Sequence, residues 1–557
     1  MTDARRRVVL AGLMAVAALI FLLGINWGLP SSRVRSYLYG SEFPWSGETL
    51  YLLAGGWDGG GSGLGADVDR TPLAQRTEPV LLNGSNRERA EIIRRYLLYS
   101  YQPDEMITFR ALAAMGSSWD PKLYQYGGLW IYPAGAFVRV GMALHLIAKP
   151  PGETNALVYY LENPDAFARF YVAARLYSAL WGIAGVWAVW WLARRLTGDP
   201  LIAGAAALAY VFLPVVINGA HEAKPHLPGV VLMLMAIVAA VKYVEEAQPK
   251  REWLWALLAG ALCGAALGMV ISSLLIFTIL PVMIWRRTRD AIAQRLIVLL
   301  AAIGVGVAVY VVTNPYVLIN ALNSTSPGGL ALRSNLKNST NMYQLSPRGL
   351  KDAAVLIGLG ASPLIAILGI AGAVAVVVLA RKKRDRFSDE AAPAEGASSR
   401  LASPSHGVDT AWVLLTPAAL ILIQFILLAA GKPPEYARFG MLPDIALLLL
   451  AAWAGSMLVG RDPMFKQLLA ALLVIGALPY GLAYSRAFVR DSGFNATTSR
   501  FQAADELPVT GRILLTAEPG PYNTPPVNLF SRDLVLLPQG TDQVLVPGDL
   551  LVYPVDS

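Results

Sequence analysis

Apolar stretches of roughly twenty residues recur along the chain, separated by short polar or basic segments. A helix of that length crosses the hydrocarbon of a bilayer. The pattern predicts eleven spans, at 8–27, 167–193, 200–217, 226–244, 253–270, 271–285, 293–312, 352–380, 411–430, 441–459 and 467–485. Basic clusters at Arg5–Arg7, Arg194-Arg195, Lys250-Arg251, Arg286-Arg287, the run RKKRDR at 381–386, and Arg461 with Lys466 fall on one side if these spans alternate. The positive-inside rule makes that side cytoplasmic. Residues 127–148 are apolar too, but a crossing there would reverse every later segment. Arg139 and His145 inside that run fit a helix lying on, or dipping into, the outer leaflet.

The expected fold is an α-helical polytopic membrane protein. Residues 1–485 form its transmembrane domain, with a long first external loop at 28–166 that contains surface helices and a cytoplasmic linker at 381–410. Residues 486–557 form a small external C-terminal domain, α/β or β-rich, because "GRILLTAEP", "DLVLLP" and "DLLVYPVD" read as strands between Pro/Gly turns. The Gly-rich stretch 57–69 reads as a loop, and the N-terminus as a retained signal anchor.

Composition narrows the classes. Of 557 residues only 15% are charged and 55% are hydrophobic, against about 25% charged in average soluble chains. The net charge of +8 does not point to nucleic acid, since much of the Lys/Arg excess flanks apolar runs, where it sets orientation. The single cysteine, Cys263, allows no intrachain disulfide.

Polar chemistry gathers in the external loops. The first carries Pro103 followed by the adjacent acids Asp104 and Glu105. A second reads NGAHEAKPHLPG and supplies His221, Glu222, Lys224 and His226. A third supplies Asn314, Tyr316, Arg333 and Lys337, and a fourth, GKPPEYARFGMLPD, supplies Lys432, Glu435, Arg438 and Asp444. Plainer readings exist for each. Pro-Asp-Glu is an ordinary helix start, Lys432 and Arg438 can snorkel to headgroups, and two histidines without a third ligand match no zinc spacing.

In order and sidedness these pieces resemble the GT-C superfamily of integral-membrane glycosyltransferases, which use polyprenyl-phosphate-linked sugars. The protein O-mannosyltransferases and the lipid A aminoarabinose transferase look most similar. "QPDE" (102–105) is similar to the HPDE-type motif of mannosyltransferases of glycolipid-anchor assembly. "ARLYSALWGIAGVWAVWWLARRLTGD" (174–199) looks like the superfamily's second span. "NPYVLIN" (314–320) resembles the start of a later external loop, and "EYARFGMLPDIALLLLAA" (435–452) its R-x-x-L-P element. Two features depart from the pattern: the insert at 41–90, and Gly127-Gly128 where members often carry Pro-Pro or Gly-Pro.

The resemblance implies transfer of a sugar from a polyprenyl phosphate to an acceptor hydroxyl at the external face. It makes Asp104 the general base and gives Glu105 the orienting of a cation or a sugar hydroxyl. It assigns the donor phosphate to Arg438 and then Lys224, with Arg333, Lys337 and Tyr316 as further candidates. His221, Glu222, Glu435 and Asn314 are candidate substrate contacts. No cofactor is expected, and a divalent metal is left open. The implied partners are a polyprenyl-phosphate sugar, membrane lipid and an acceptor glycan, lipid or protein, in a bacterial inner or plasma membrane with the N-terminus cytoplasmic and the C-terminus external. The alternatives are a transporter or flippase of lipid-linked glycans, and a non-catalytic scaffold of the same fold.

Overall fold

Proline and glycine set the ends of the helices that the apolar runs form. Pro164 opens the long helix Pro164–Thr197 in its first turn, and Gly198 closes it in the left-handed conformation, φ 68°. Asp199 then caps Pro200–Val211, accepting the N–H groups of Leu201 and Ile202. The computed structural model describes residues 3–55, 79–116, 118–287, 291–389, 404–430, 437–493, 498–507, 511–537 and 550–552.

Among the described residues, seven helices are long and apolar enough to cross a membrane: Pro164–Thr197, His226–Glu245, Lys250–Met269, Ile292–Thr313, Gly407–Ala429, Ala437–Val459 and Pro463–Arg490. Two bent pairs raise the number to nine if each is one span. The chain is an integral membrane protein, but the described residues offer seven to nine candidate spans instead of eleven, and the differences have local causes. The first helix, Asp3–Leu22, ends five residues before the expected boundary and carries Arg5, Arg6 and Arg7, which leaves a short uncharged length. Residues 271–285 divide into a 3₁₀ turn, Ile271–Thr278, and a short helix, Ile279–Arg286. The run 200–217 bends by 56° ahead of Pro214, and 352–380 by 113° ahead of Pro363. A proline has no N–H to continue the helical ladder, and Ser362 turns the chain at φ 71°.

His226–Glu245 lies at the centre of the bundle, with 83% of its apolar window buried, whereas Ile292–Thr313 buries only 17% and presents Leu296, Leu300 and Val307 outward. The neighbouring helix Pro249–Met269 packs Gly260 and Gly264 directly on the backbones of Ala302 and Gly306, the close approach that small residues permit between membrane helices. The helix Gly128–Ala143 has 16 residues. At 1.5 Å per residue it is about 24 Å long, short of the ~30 Å hydrocarbon.

The first loop and the tail share one sheet. Its strands are β1 (Val80–Leu81), β2 (Ile513–Leu515), β3 (Leu534–Leu536) and β4 (Leu550–Val552), in the order β1-β3-β2-β4. β2 runs parallel to β3 and β4, while β1 is antiparallel to β3 with Val80 opposite Leu536. The three tail strands fall in the three strand-like runs of the sequence. β2 and β3 are buried at every position, which is why they read as continuous apolar runs instead of alternating ones. β1 comes from the insert at 41–90, so part of that insert serves as an edge strand. Buried Asn83 locks the seam, donating to the carbonyls of Leu529 and Arg532 and accepting the N–H of Leu534. The Gly-rich 57–69 stretch lies outside the described residues, as does 390–403 of the linker; helix covers 381–389 and resumes at 404.

Candidate active site

The helix Asn86–Leu98 ends at Tyr99, whose extended backbone (φ −90°, ψ 147°) leads through Pro103 to the next helix, Glu105–Met115. Asp104 sits at that helix's N-cap position, yet its side chain makes no capping bond. The ordinary helix-start reading therefore accounts for the helix and not for the orientation of Asp104. Its Oδ2 lies 3.0 Å from Arg438 Nη1 and 3.3 Å from Lys224 Nζ. Lys224 also pairs with Glu222 at 3.5 Å, and Gln102 Nε2 donates to Glu222 at 3.0 Å. Three segments far apart in the chain converge here: the turn before Glu105, the turn 221–225, and the 3₁₀ turn Ala437–Gly440 that opens Met441–Val459.

The cations are buried deeper than the acid. The Lys224 side chain is 2% exposed and that of Arg438 14%, against 32% for Asp104. Burial pushes the Asp104 carboxyl up, but the Lys224 ammonium and then the Arg438 guanidinium more than offset it and hold the group well below the usual carboxylate range. Asp104 is thus an ionised carboxylate that a substrate can reach, backed by two positive charges. A mostly apolar recess is lined by Arg438 together with His226, Met233, Val270, Ile421 and Leu442, with Ser272 and Gln424 as its other polar groups.

Glu105 faces the other way. It is fully buried in a two-pronged pair with Arg175, Nε–Oε1 2.8 Å and Nη2–Oε2 2.6 Å. It also accepts the N–H of Ala223 at 2.6 Å and the Ser100 hydroxyl. Arg175 Nη1 donates to the carbonyls of Ile25 and Trp27. The pair ties the first helix's exit, the helix Pro164–Thr197 and the 221–225 turn together. Arg175 belongs to the Arg-Leu start of the 174–199 motif and is not among the site residues expected from the sequence. The available signal was a charge inside the apolar run 167–193, where an unpaired arginine is expensive.

The remaining candidates are dispersed. Glu222 is part of the cluster. His221 is buried against Phe488, ring centroids 4.3 Å apart, with its nitrogens on the carbonyls of Ile217 and Leu23. Asn314 accepts the N–H of Gly128 at 2.7 Å and so seats the surface helix. A side chain at Gly127 or Gly128 would collide with the Gly268 or Thr313 carbonyl oxygen, which explains the double glycine. Tyr316 donates to the Ser118 carbonyl, and Arg333 and Lys337 are exposed on Pro327–Asn341. Asn314, Tyr316, Arg333 and Lys337 make no ion pair or hydrogen bond with the Asp104 cluster. Glu435 and Lys432 lie outside the described residues. Among the described residues no group of three His, Cys, Asp or Glu side chains could hold a metal.

Fold and cluster together define an integral membrane protein with a charged centre at one end of its helical bundle. Residues 167–313, which include Arg175 and Lys224, match the family model of dolichyl-phosphate-mannose-protein mannosyltransferases, and over that stretch the resemblance read from the sequence holds. No curated protein matches the chain. Among solved structures it is similar to the oligosaccharyltransferase of Archaeoglobus fulgidus in the apo form (12% identity, 93% of this chain, TM-score 0.41). It spans 64% of that protein's length. It is also similar to ArnT from Cupriavidus metallidurans bound to undecaprenyl phosphate (15% identity, 81% of this chain and 84% of that one, TM-score 0.26).

Proposed function

We propose that the protein is a glycosyltransferase that moves a sugar from a polyprenyl-phosphate donor to an acceptor hydroxyl, with Asp104 as general base and Arg438 and Lys224 as the phosphate clamp. The observation that carries this reading is the partly exposed Asp104 carboxylate bridged by two more deeply buried cations, beside a mostly apolar recess that Arg438 helps to line. The family match over 167–313 supports the donor class.

The acceptor oxygen attacks the anomeric carbon while its proton passes to Asp104. The bond from that carbon to the phosphate oxygen breaks, and the lipid phosphate leaves with one more negative charge. Arg438 and Lys224 meet that charge, and the isoprenoid tail occupies the apolar recess. Since each cation also pairs with Asp104, an arriving phosphate competes for them. Its charge and that competition both raise the Asp104 pKa, so donor binding makes a poor base a better one. The sign gives a testable profile. The acid limb of kcat, set by the donor-bound form, should lie at higher pH than that of kcat/KM for the donor, set by free enzyme. Coincident limbs would remove the coupling.

The class is tested in proteoliposomes with a panel of radiolabelled polyprenyl-phosphate sugars and a delipidated envelope extract, scoring label that leaves the lipid phase. Transfer is expected from one donor. Lipid-sugar crossing the bilayer unchanged would point to a flippase instead. Arg438→Lys should lose most of its turnover, because an ammonium has no fork with which to hold phosphate oxygens. Turnover like wild type in Arg438→Lys removes Arg438 from the clamp.

A further inference from the structure

A second recess opens between the first loop and the tail. Its walls include Tyr99, Tyr101, Phe501 and Pro521, and its polar groups include Arg33, Arg500 and Asp491. It backs onto the charged cluster through a single thickness of chain. Along residues 99–102 alternate side chains take opposite sides. Ser100 and Gln102 bond to Glu105 and Glu222, while Tyr99 and Tyr101 line the recess.

The tyrosine rings are fixed walls. The Tyr99 hydroxyl is held by Arg110 and the Tyr101 hydroxyl by Thr498, 2.9 Å away. The Arg500 guanidinium lies 5.7 Å from the Tyr101 ring centre and donates to the Tyr522 carbonyl. Asp491 accepts the N–H and hydroxyl of Ser499, and a carboxylate has lone pairs beyond those two bonds. Preset aromatic faces with a few charged hydrogen-bonding groups suit a ligand that is apolar on one face and ringed with hydroxyls. A pyranose has that character.

We propose that this recess binds a saccharide unit of the acceptor, remote from the reacting hydroxyl. The role in transfer rests on the glycosyltransferase reading; the binding itself does not. Full-length protein in a sugar-free detergent is probed by saturation-transfer difference NMR with methyl mannoside, methyl galactoside, N-acetylglucosamine and their disaccharides, and separately with a tetraproline peptide. Two variants accompany wild type: Ser31→Trp, which fills the recess, and Phe501→Ala, which removes a wall. At least one saccharide should bind wild type and bind both variants at least about tenfold more weakly, a change of ~1.4 kcal/mol. Absence of saccharide binding, binding unchanged by Ser31→Trp, or binding of the proline peptide alone overturns the proposal. Saccharide binding without transfer from any donor would leave the recess standing and end the transferase reading. Transfer without saccharide binding does the reverse.

Discussion

Asp104→Asn is expected to lower sugar transfer by about 10²–10⁴-fold, the usual contribution of a positioned general base. The substitution keeps the size of the side chain and removes one negative charge. Arg438 and Lys224 are then no longer shared with the Asp104 carboxylate, although Lys224 keeps Glu222, so the donor phosphate faces less competition for them. The loss should therefore appear in kcat, with the donor KM equal or lower. Initial rates at several donor concentrations make the separation, and the denaturation midpoint in detergent controls for folding. A transporter or a scaffold has no use for a base here and should tolerate the change. Undiminished kcat in a folded variant would move the base elsewhere.

That prediction was legible in the sequence, because Asp104, Lys224 and Arg438 each stand in a loop that the charge pattern gathers on one side of the bundle. The division of labour between Asp104 and Glu105 was less so. Neighbours on a helix point about 100° apart, so one acid must turn away, but the partner that claims Glu105 lies inside an apolar span at Arg175. Single-residue charge inside a hydrophobic run is averaged out when spans are read by length and composition. The span number failed for a related reason. Composition over 200–217 or 352–380 does not register one bend, although Pro214 and Pro363 mark where each falls. The tail strands were readable as short apolar runs between turns. Their edge partner, Val80–Leu81, was not, since two residues carry no periodicity and the pairing is set by Asn83 across the sheet.

Removing one partner of the Glu105–Arg175 pair is expected to cost about 3–5 kcal/mol of stability, the larger structural effect in the molecule. Both side chains are wholly buried. Arg175→Met leaves the Glu105 carboxylate with the Ala223 N–H and the Ser100 hydroxyl and no counter-charge, and it orphans the carbonyls of Ile25 and Trp27. Glu105→Gln keeps the shape but leaves Arg175 charged in an apolar surround. The double variant Glu105→Gln/Arg175→Met removes both charges, so it should recover part of what either single change loses, with non-additivity of the order of 0.5–3 kcal/mol for groups in contact. Denaturation midpoints of the four proteins in one detergent measure this directly. Additive losses would mean the two side chains act independently. The pair also carries a functional consequence. The Ala223 N–H held by Glu105 is adjacent to Lys224, so loosening it releases the turn that aims the ammonium at Asp104. Glu105→Gln should therefore raise the donor KM as well as lower stability, and because Gln keeps an acceptor for Ala223, it should do so less than Glu105→Ala. Donor KM unchanged from wild type in both Glu105→Gln and Glu105→Ala would confine the pair to a purely structural role.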